Sequence, residues 1–230
     1  MRAAPDDRLD QLVACATRVF IEQGYRRTQM ADVAEAMGVA KGTLYLYVES
    51  KEALFDLVCR SADLEPPLPK PATLPIPTPK PGATSRYIAE RLSKEQVLPA
   101  LAAALERRRV PDARAELDGI VRELFDVLAR NRCGLTLLDR SARELPELAA
   151  LWFEGARGGL LALLGRYLDD RVRRKLLRPV PDVAAAARLI IETTVFWAVH
   201  RHWDAHPQPV DEATAKETVV RFIVGALAKE

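Results

Sequence analysis

Residues 66–81, PPLPKPATLPIPTPKP, hold eight of the chain's 16 prolines, several at every second position. A proline has no amide hydrogen and a fixed φ, so such a run cannot continue a helix or enter the middle of a sheet. It reads as an extended connector, and it splits the 230-residue chain into two separate folding problems. The same composition also suits a ligand for an SH3-type partner, but a linker between domains is the simpler use. Composition therefore divides the chain into residues 1–63, a connector at 64–84, and residues 85–230.

Both flanks carry helical periodicity. In residues 6–24, Leu9, Leu12, Val13, Ala16, Val19 and Phe20 fall on one helical face, with Asp6 and Asp7 at the positive end and Gly24 at the stop. Thr28 suits the N-cap of a short second helix carrying Val33, Ala34 and Met37, and Gly38 suits a sharp turn after it. A third helix is expected from Lys41 to Val48, and Ser50 caps a fourth that reaches about Ala62. Beyond the connector, Ser93 and Gln96 form a capping box ahead of a helix that Pro99 should bend. Residues 112–131, 146–177 (opening with Pro146), 181–203 and 211–230 each read as helices. No stretch alternates convincingly with period two, and there is no internal repeat. The expected fold class is all-α: an N-terminal three-helix helix-turn-helix unit, then a C-terminal helical bundle.

Bulk properties narrow the function. Hydrophobic residues make up 49% and charged residues 29%, as in an ordinary globular protein. A net charge of +2 means that any nucleic-acid surface is a local patch. Cys15, Cys59 and Cys133 are odd in number and widely spaced, which points to reduced thiols in a cytoplasmic setting and away from disulfides or zinc. The first residues show no apolar run, so a signal peptide is not expected, and LIIETTVFWAV at 189–199 is short and contains Glu192, so a membrane span is not expected either. No nucleophile elbow, phosphate loop, dinucleotide fingerprint or zinc helix is present, so an enzyme is not expected, nor a cofactor.

GVAKGTLYLYVESKEALF, residues 38–55, joins groups that a core helix does not need to an apolar residue at each helical return. A helix, a tight glycine turn and a short helix make the arrangement whose second helix enters the DNA major groove. Lys41 offers a charge, Gly42 lets backbone approach closely, and Thr43 can bond a phosphate or touch a thymine methyl. Tyr45 and Tyr47 carry hydroxyls able to reach phosphate oxygens, and Val39, Leu44 and Val48 should point inward. The tyrosines also suit a plainer role, roofing the three-helix core.

TQMADVAEAMGVAKGTLYLYVESKEALF resembles the DNA-binding unit of the TetR/AcrR family of one-component transcriptional regulators. Asp32-Val33-Ala34, Gly38-Val39, Lys41-Gly42-Thr43-Leu44-Tyr45 and Ser50-Lys51-Glu52 carry the resemblance, over about residues 8–60. It implies a helix-turn-helix at about 29–48, with Thr28 and Gln29 facing phosphate. Lys41, Gly42, Thr43 and Leu46 would face the major groove, and Tyr45, Tyr47 and Lys51 would clamp the backbone. Departures are Ala40 where the family usually places a capping serine, Gln29 for a common threonine, and Val48 for a frequent phenylalanine. Leu46 could read a base only by apolar contact. The family's C-terminal domain dimerises and holds a small-molecule effector.

In the C-terminal half, Trp152, Phe153, Phe196, Trp197, His200 and Trp203 cluster in sequence. On a continuous helix Phe196, Val199, His200 and Trp203 share a face, so these residues mark the expected effector pocket, for an aromatic or hydrophobic molecule. The same residues would also serve as core or dimer interface. His200, His202 and His206 do not make a metal site, because helical residues two apart diverge. Helices at 181–203 and 211–228 are the expected homodimer surface, through Ile190, Ile191, Val195, Val220, Ile223, Val224 and Leu227. The basic run at 171–175 sits beside acidic residues and reads as a solvated helix end.

Two readings remain at this point. One is a ligand-responsive regulator, taken as a repressor, that leaves a palindromic double-stranded operator when a small molecule binds. The other is a helical small-molecule-binding protein whose N-terminal unit does not read DNA. Salt separates them, because phosphate contacts make affinity fall steeply with salt.

Overall fold

A computed structural model describes residues 5–95 and 98–229. Its helices are α1 (Pro5–Gln23), α2 (Met30–Met37), α3 (Lys41–Leu44), α4 (Lys51–Ser61), α5 (Ala83–Glu95), α6 (Pro99–Glu106), α7 (Ala113–Arg130), α8 (Arg132–Ala142), α9 (Pro146–Ala149), α10 (Gly158–Arg173), α11 (Val183–Ala198) and α12 (Glu212–Leu227). A π-helical segment, Ala150–Arg157, joins α9 to α10, and a 3₁₀ turn, His200–Trp203, follows α11. Among the described residues no β-strand forms. Among the described residues the extended pairings are isolated bridges at Val48–Ile76 and Leu177–Ala228. The all-α expectation is met.

The chain forms two compact units, each built from two stretches of sequence. The first is Met1–Arg91 with Cys133–Trp152, and the second is Leu92–Arg132 with Phe153–Glu230. This differs from the division at 63 and 84 that composition suggests. Residues 64–91 stay with the first unit, and so does most of α8, a helix that sequence reading did not anticipate.

The first unit packs α1 against α2 and α4. Leu12, Ala16 and Phe20 of α1, Val33 of α2, Leu44 of α3, and Leu54 and Val58 of α4 are all fully buried. Phe20, Tyr25 and Phe55 form an aromatic cluster, with Phe20–Phe55 edge-to-face at 5.3 Å and Tyr25–Phe55 at 4.7 Å. At the end of α4, the Asp63 carboxylate accepts from the amides of Cys133 (2.9 Å) and Gly134 (3.1 Å) and pairs with Arg91 at 2.8 Å. A Cβ at Gly134 would lie 2.4 Å from Asp63 Oδ2, so glycine is required for that approach.

The proline-rich connector has no regular secondary structure, as expected, but it is not a free tether. Leu68 is buried with Leu9 and Val13, and its amide donates to Asp10 Oδ1 at 2.9 Å. Burial of a side chain of that size contributes roughly 1.5–3 kcal/mol, enough to hold a segment that proline has already stiffened.

The second unit sets α7 against α11 and α12, and α10 against α6 and α11. Leu117, Ile120, Val121, Leu124 and Phe125 form the α7 face of the core. Asp112, Asp182 and Asp211 cap α7, α11 and α12, each accepting from the amide three residues on.

Several boundaries differ from expectation for local reasons. Pro99 opens α6 instead of bending a longer helix. Ser93 lies inside α5, and Gln96, the other half of the expected capping box, lies outside the described residues. The long 146–177 helix contains the π-helical segment, and the 181–203 helix ends at Ala198, where Val199 leaves helical geometry. Ile190, Ile191, Val220, Ile223, Val224 and Leu227, expected at a dimer surface, are instead buried within the unit. The large apolar side chains that α11 and α12 leave exposed are Leu189, Phe196 and Phe222. By length and composition alone, Pro146–Arg173 is apolar enough to cross a membrane, a run that sequence reading did not single out. Here its Leu164, Tyr167 and Leu168 are buried in the protein.

Candidate nucleic-acid interface

α2 starts where the Gln29 amide donates to Asp32 Oδ2 at 2.7 Å, so Gln29, not Thr28, occupies the capping position. α2 ends at Gly38, whose φ of +66° lies in the left-handed region that glycine enters without strain. The Val39 amide closes the turn onto Ala34 O at 3.0 Å. Ala40 begins α3 with no side-chain cap, as the alanine there implied. α3 is only four residues long, and an exit turn through Tyr45–Tyr47 continues it with bonds from Leu46 to Thr43 (3.2 Å) and Tyr47 to Leu44 (2.9 Å).

Leu44 and Val48 are fully buried and anchor this piece, while Val39 is half-buried. Gln29, Lys41, Gly42 and Tyr45 are exposed, and Leu46 is 66% exposed. Thr43 and Tyr47 are half-buried. Nothing within 4 Å would meet a Cβ at Gly42, so its glycine has no packing reason within the described residues.

Two of the expected contact residues are placed otherwise. Thr28 is 1% exposed, and its hydroxyl donates to Gly24 O at 2.7 Å, so it does not present a group to a phosphate. The Lys51 ammonium donates to Thr28 O (2.8 Å) and Arg26 O (3.3 Å) and sits 4.6 Å from the Tyr25 ring centre. It ties down the loop between α1 and α2 rather than offering a free charge. Tyr25 donates to Glu52 Oε1 at 3.3 Å, and burial, then the Glu52 charge, pushes its hydroxyl up to about 12, so it remains a donor at neutral pH. Arg26 and Arg27 are exposed on that loop and were not singled out from sequence. Their adjacency just before α2 was the available signal.

The C-terminal aromatics are divided between the two units. Trp152 donates to Asp139 Oδ1 at 2.9 Å and belongs to the first unit, whereas Phe153 belongs to the second. Phe196 and Trp197 meet edge-to-face at 5.7 Å. Helical geometry breaks at Val199, which is buried, while Phe196, His200 and Trp203 are exposed. Burial, then Arg132 and Arg201, holds His202 below its ordinary value. Among the described residues no three histidine, cysteine or acidic side chains converge as metal ligands.

A buried-anchor, exposed-cation helix following a glycine turn defines a helix-turn-helix head, carried by a chain that is otherwise helical. Comparison with known proteins shows what the chain is similar to. Residues 12–58 match the model of bacterial regulatory proteins of the tetR family. The transcriptional activator FasR of Mycolicibacterium smegmatis is 24% identical over 99% of this chain and 86% of its own length. The transcriptional repressor KstR2 of Rhodococcus jostii is 38% identical over 23% of this chain and 26% of its own. The solved ketosteroid regulator KstR2 of Mycobacterium tuberculosis shares the fold, with a TM-score of 0.55 and 18% identity over 97% of this chain and 96% of that one. Residues 12–58 thus carry a tetR-type DNA-binding unit, and the chain is a DNA-binding transcriptional regulator.

Proposed function

We propose that the chain is a cytoplasmic homodimer that represses transcription from a palindromic operator and is released by a small apolar or aromatic effector. The observation that carries the DNA reading is the split on α3 and its exit turn. Leu44 and Val48 are fully buried, while Lys41, Gly42, Tyr45 and Leu46 are exposed together. In this reading Lys41, Gly42, Thr43 and Leu46 face base edges, Tyr45 and Tyr47 hold the backbone, and Gln29, Arg26 and Arg27 reach neighbouring phosphates.

Homodimerisation is supported by the apolar groups that α11 and α12 leave in water. Leu189 and Phe196 lie two turns apart on α11, and Phe222 on α12 is 78% exposed. Two-fold symmetry would set the two α3 segments about 34–36 Å apart, one turn of DNA. An effector bound in the second unit, near Phe196, Trp197 and Trp203, would favour a head spacing that no longer fits. Only a difference in affinity between the two states can do this, typically about 1–3 kcal/mol. Relatives include both an activator and a repressor, so repression is tested directly.

The test is fluorescence anisotropy of full-length protein against duplexes tiling the DNA upstream of its own gene, at two salt concentrations. Lys41→Ala/Tyr47→Ala is measured alongside, and in vitro transcription follows from the bound promoter. One duplex bound tightly and salt-sensitively, with binding lost in the variant and transcription reduced by the protein, is the expected result. Uniformly weak binding that the variant leaves unchanged refutes the proposal in favour of a helical ligand-binding protein.

A further inference from the structure

We infer that the proline-rich segment is a strap that positions the DNA-contacting end of α3, with Leu68 and Ile76 as positioning residues acting through Tyr47. The inference rests on the reading of Tyr47 as a DNA-backbone contact.

α3 cannot hold itself. Four residues do not make a stable helix, and Ala40 supplies no cap. Its exit turn leaves the Tyr47 carbonyl and the Glu49 amide without helical partners. Both are taken by one strap residue. The Ile76 amide donates to Tyr47 O at 2.7 Å, and Ile76 O accepts from the Glu49 amide at 3.0 Å, making the parallel bridge of Val48 with Ile76. Two residues on, the Thr78 amide donates to Glu49 Oε2 at 2.9 Å, and the Thr78 hydroxyl donates to Ser50 Oγ at 2.8 Å. Ser50 Oγ also accepts from the Ala53 amide and caps α4. The strap therefore reaches both the end of α3 and the start of α4.

Its other end works on the side chain. Leu68 is buried with Leu9 and Val13 of α1, and the half-buried Tyr47 packs against this cluster with Leu57. Tyr47 thus packs against a cluster that Leu68 completes, and its carbonyl is held by Ile76. The proline pattern explains how a segment without helix or sheet can do this. Prolines flank Leu68 and Ile76 on both sides, so these two residues keep their amides or side chains for docking while their neighbours remove conformational freedom. A contact residue gains affinity when its geometry is fixed before binding.

The experiment is a double-mutant cycle in DNA affinity, using full-length protein and the duplex that the wild-type protein selects from a random pool. Tyr47→Phe should weaken binding about three- to tenfold, the loss of one hydrogen bond. Leu68→Ala should weaken it by a similar factor. Leu68→Ala/Tyr47→Phe should be no weaker than Tyr47→Phe alone, within about twofold, because the strap has nothing left to act through. Amide exchange at Ile76 and Glu49 should quicken in Leu68→Ala, while Leu54 and Val58 in α4 stay protected. An unchanged affinity for Leu68→Ala, or losses that add in the double variant, overturns the strap inference and leaves the DNA reading standing. An unchanged affinity for Tyr47→Phe, or no selected duplex, overturns the reading of Tyr47 and the inference with it. If Leu68→Ala loses protection throughout α4, Thr78→Val runs the same cycle without touching the core, and additivity there counts equally against the strap.

Discussion

Gly42→Ala separates a residue kept for the protein from one kept for its partner. Gly42 lies in the first turn of α3, and an added Cβ would meet nothing within 4 Å. Inside the fold the substitution should therefore be harmless or helpful, by up to about 1 kcal/mol, because glycine is the poorer helix former. Against DNA the sign reverses if backbone approaches backbone at that point. An intruding methyl in a close contact costs about 1–3 kcal/mol, or about 5- to 150-fold in affinity per head. The control is Gly38→Ala, which also meets open space but sits at φ +66°. There the left-handed backbone costs an ordinary residue about 1–2 kcal/mol of stability. Thermal unfolding and anisotropy on the selected duplex give the two readouts. Gly42→Ala should keep or raise Tm and weaken binding, and Gly38→Ala should lower Tm. Wild-type affinity in Gly42→Ala would refute the close-approach argument, and a fall in its Tm would show an internal role for the glycine.

Two further outcomes test the rest of the molecule. The Arg171 side chain is 1% exposed and bonds Glu116 at 2.8 Å, with Glu116 itself 4% exposed. Arg171→Met should therefore cost about 1–3 kcal/mol by leaving the buried Glu116 carboxylate paired with the more exposed Arg107 alone, at 3.2 Å, while Arg171→Met/Glu116→Leu should recover most of it. Urea midpoints followed by tryptophan fluorescence decide this, and equal losses in both variants would contradict it. Burial, then Asp56, pushes the Cys59 thiol well above its ordinary value, whereas Cys15 and Cys133 are only half-buried. A raised thiol stays protonated as pH rises, and the thiolate is the nucleophile. Iodoacetamide at pH 8 should thus label Cys59 last, and modification of Cys59 as fast as the others by mass spectrometry would contradict that order.

The all-α class and most helix positions were legible because a 3.6-residue apolar period needs no tertiary information. Leu117, Val121, Leu124 and Leu128 mark α7 as plainly in sequence as in the core they form. What sequence could not give was set by distant partners. The strap looked like a tether because proline composition reports stiffness, not docking, and Leu68 and Ile76 are single apolar residues in a polar run. Val199 breaks the helix that was expected to run to Trp203, and no glycine or proline marks that break. The exposed and buried faces of α11 and α12 were confused for a related reason. Both helices are apolar around most of their girth, so periodicity alone could not say which side meets the unit's own core.

The DNA-binding motif carries a similar ambiguity at the level of single residues. Thr28, Lys41, Gly42 and Lys51 all belong to one recognisable pattern, yet they divide into two jobs. Thr28 and Lys51 are spent on the carbonyls of Gly24, Arg26 and Thr28, which fixes the loop entering α2. Lys41 and Gly42 are exposed on α3. A motif records that all four types are needed together, but not which side of the surface each one serves. The division has a physical consequence. Loss of Lys41 removes a charge from the partner and should reduce the salt dependence of binding, whereas loss of Lys51 loosens the scaffold that aims α2 and α3. The strap extends that scaffold to the other end of α3. Loop, turn and strap together hold a four-residue helix that has no stability of its own, which lets a recognition element this short keep a fixed geometry before it meets DNA.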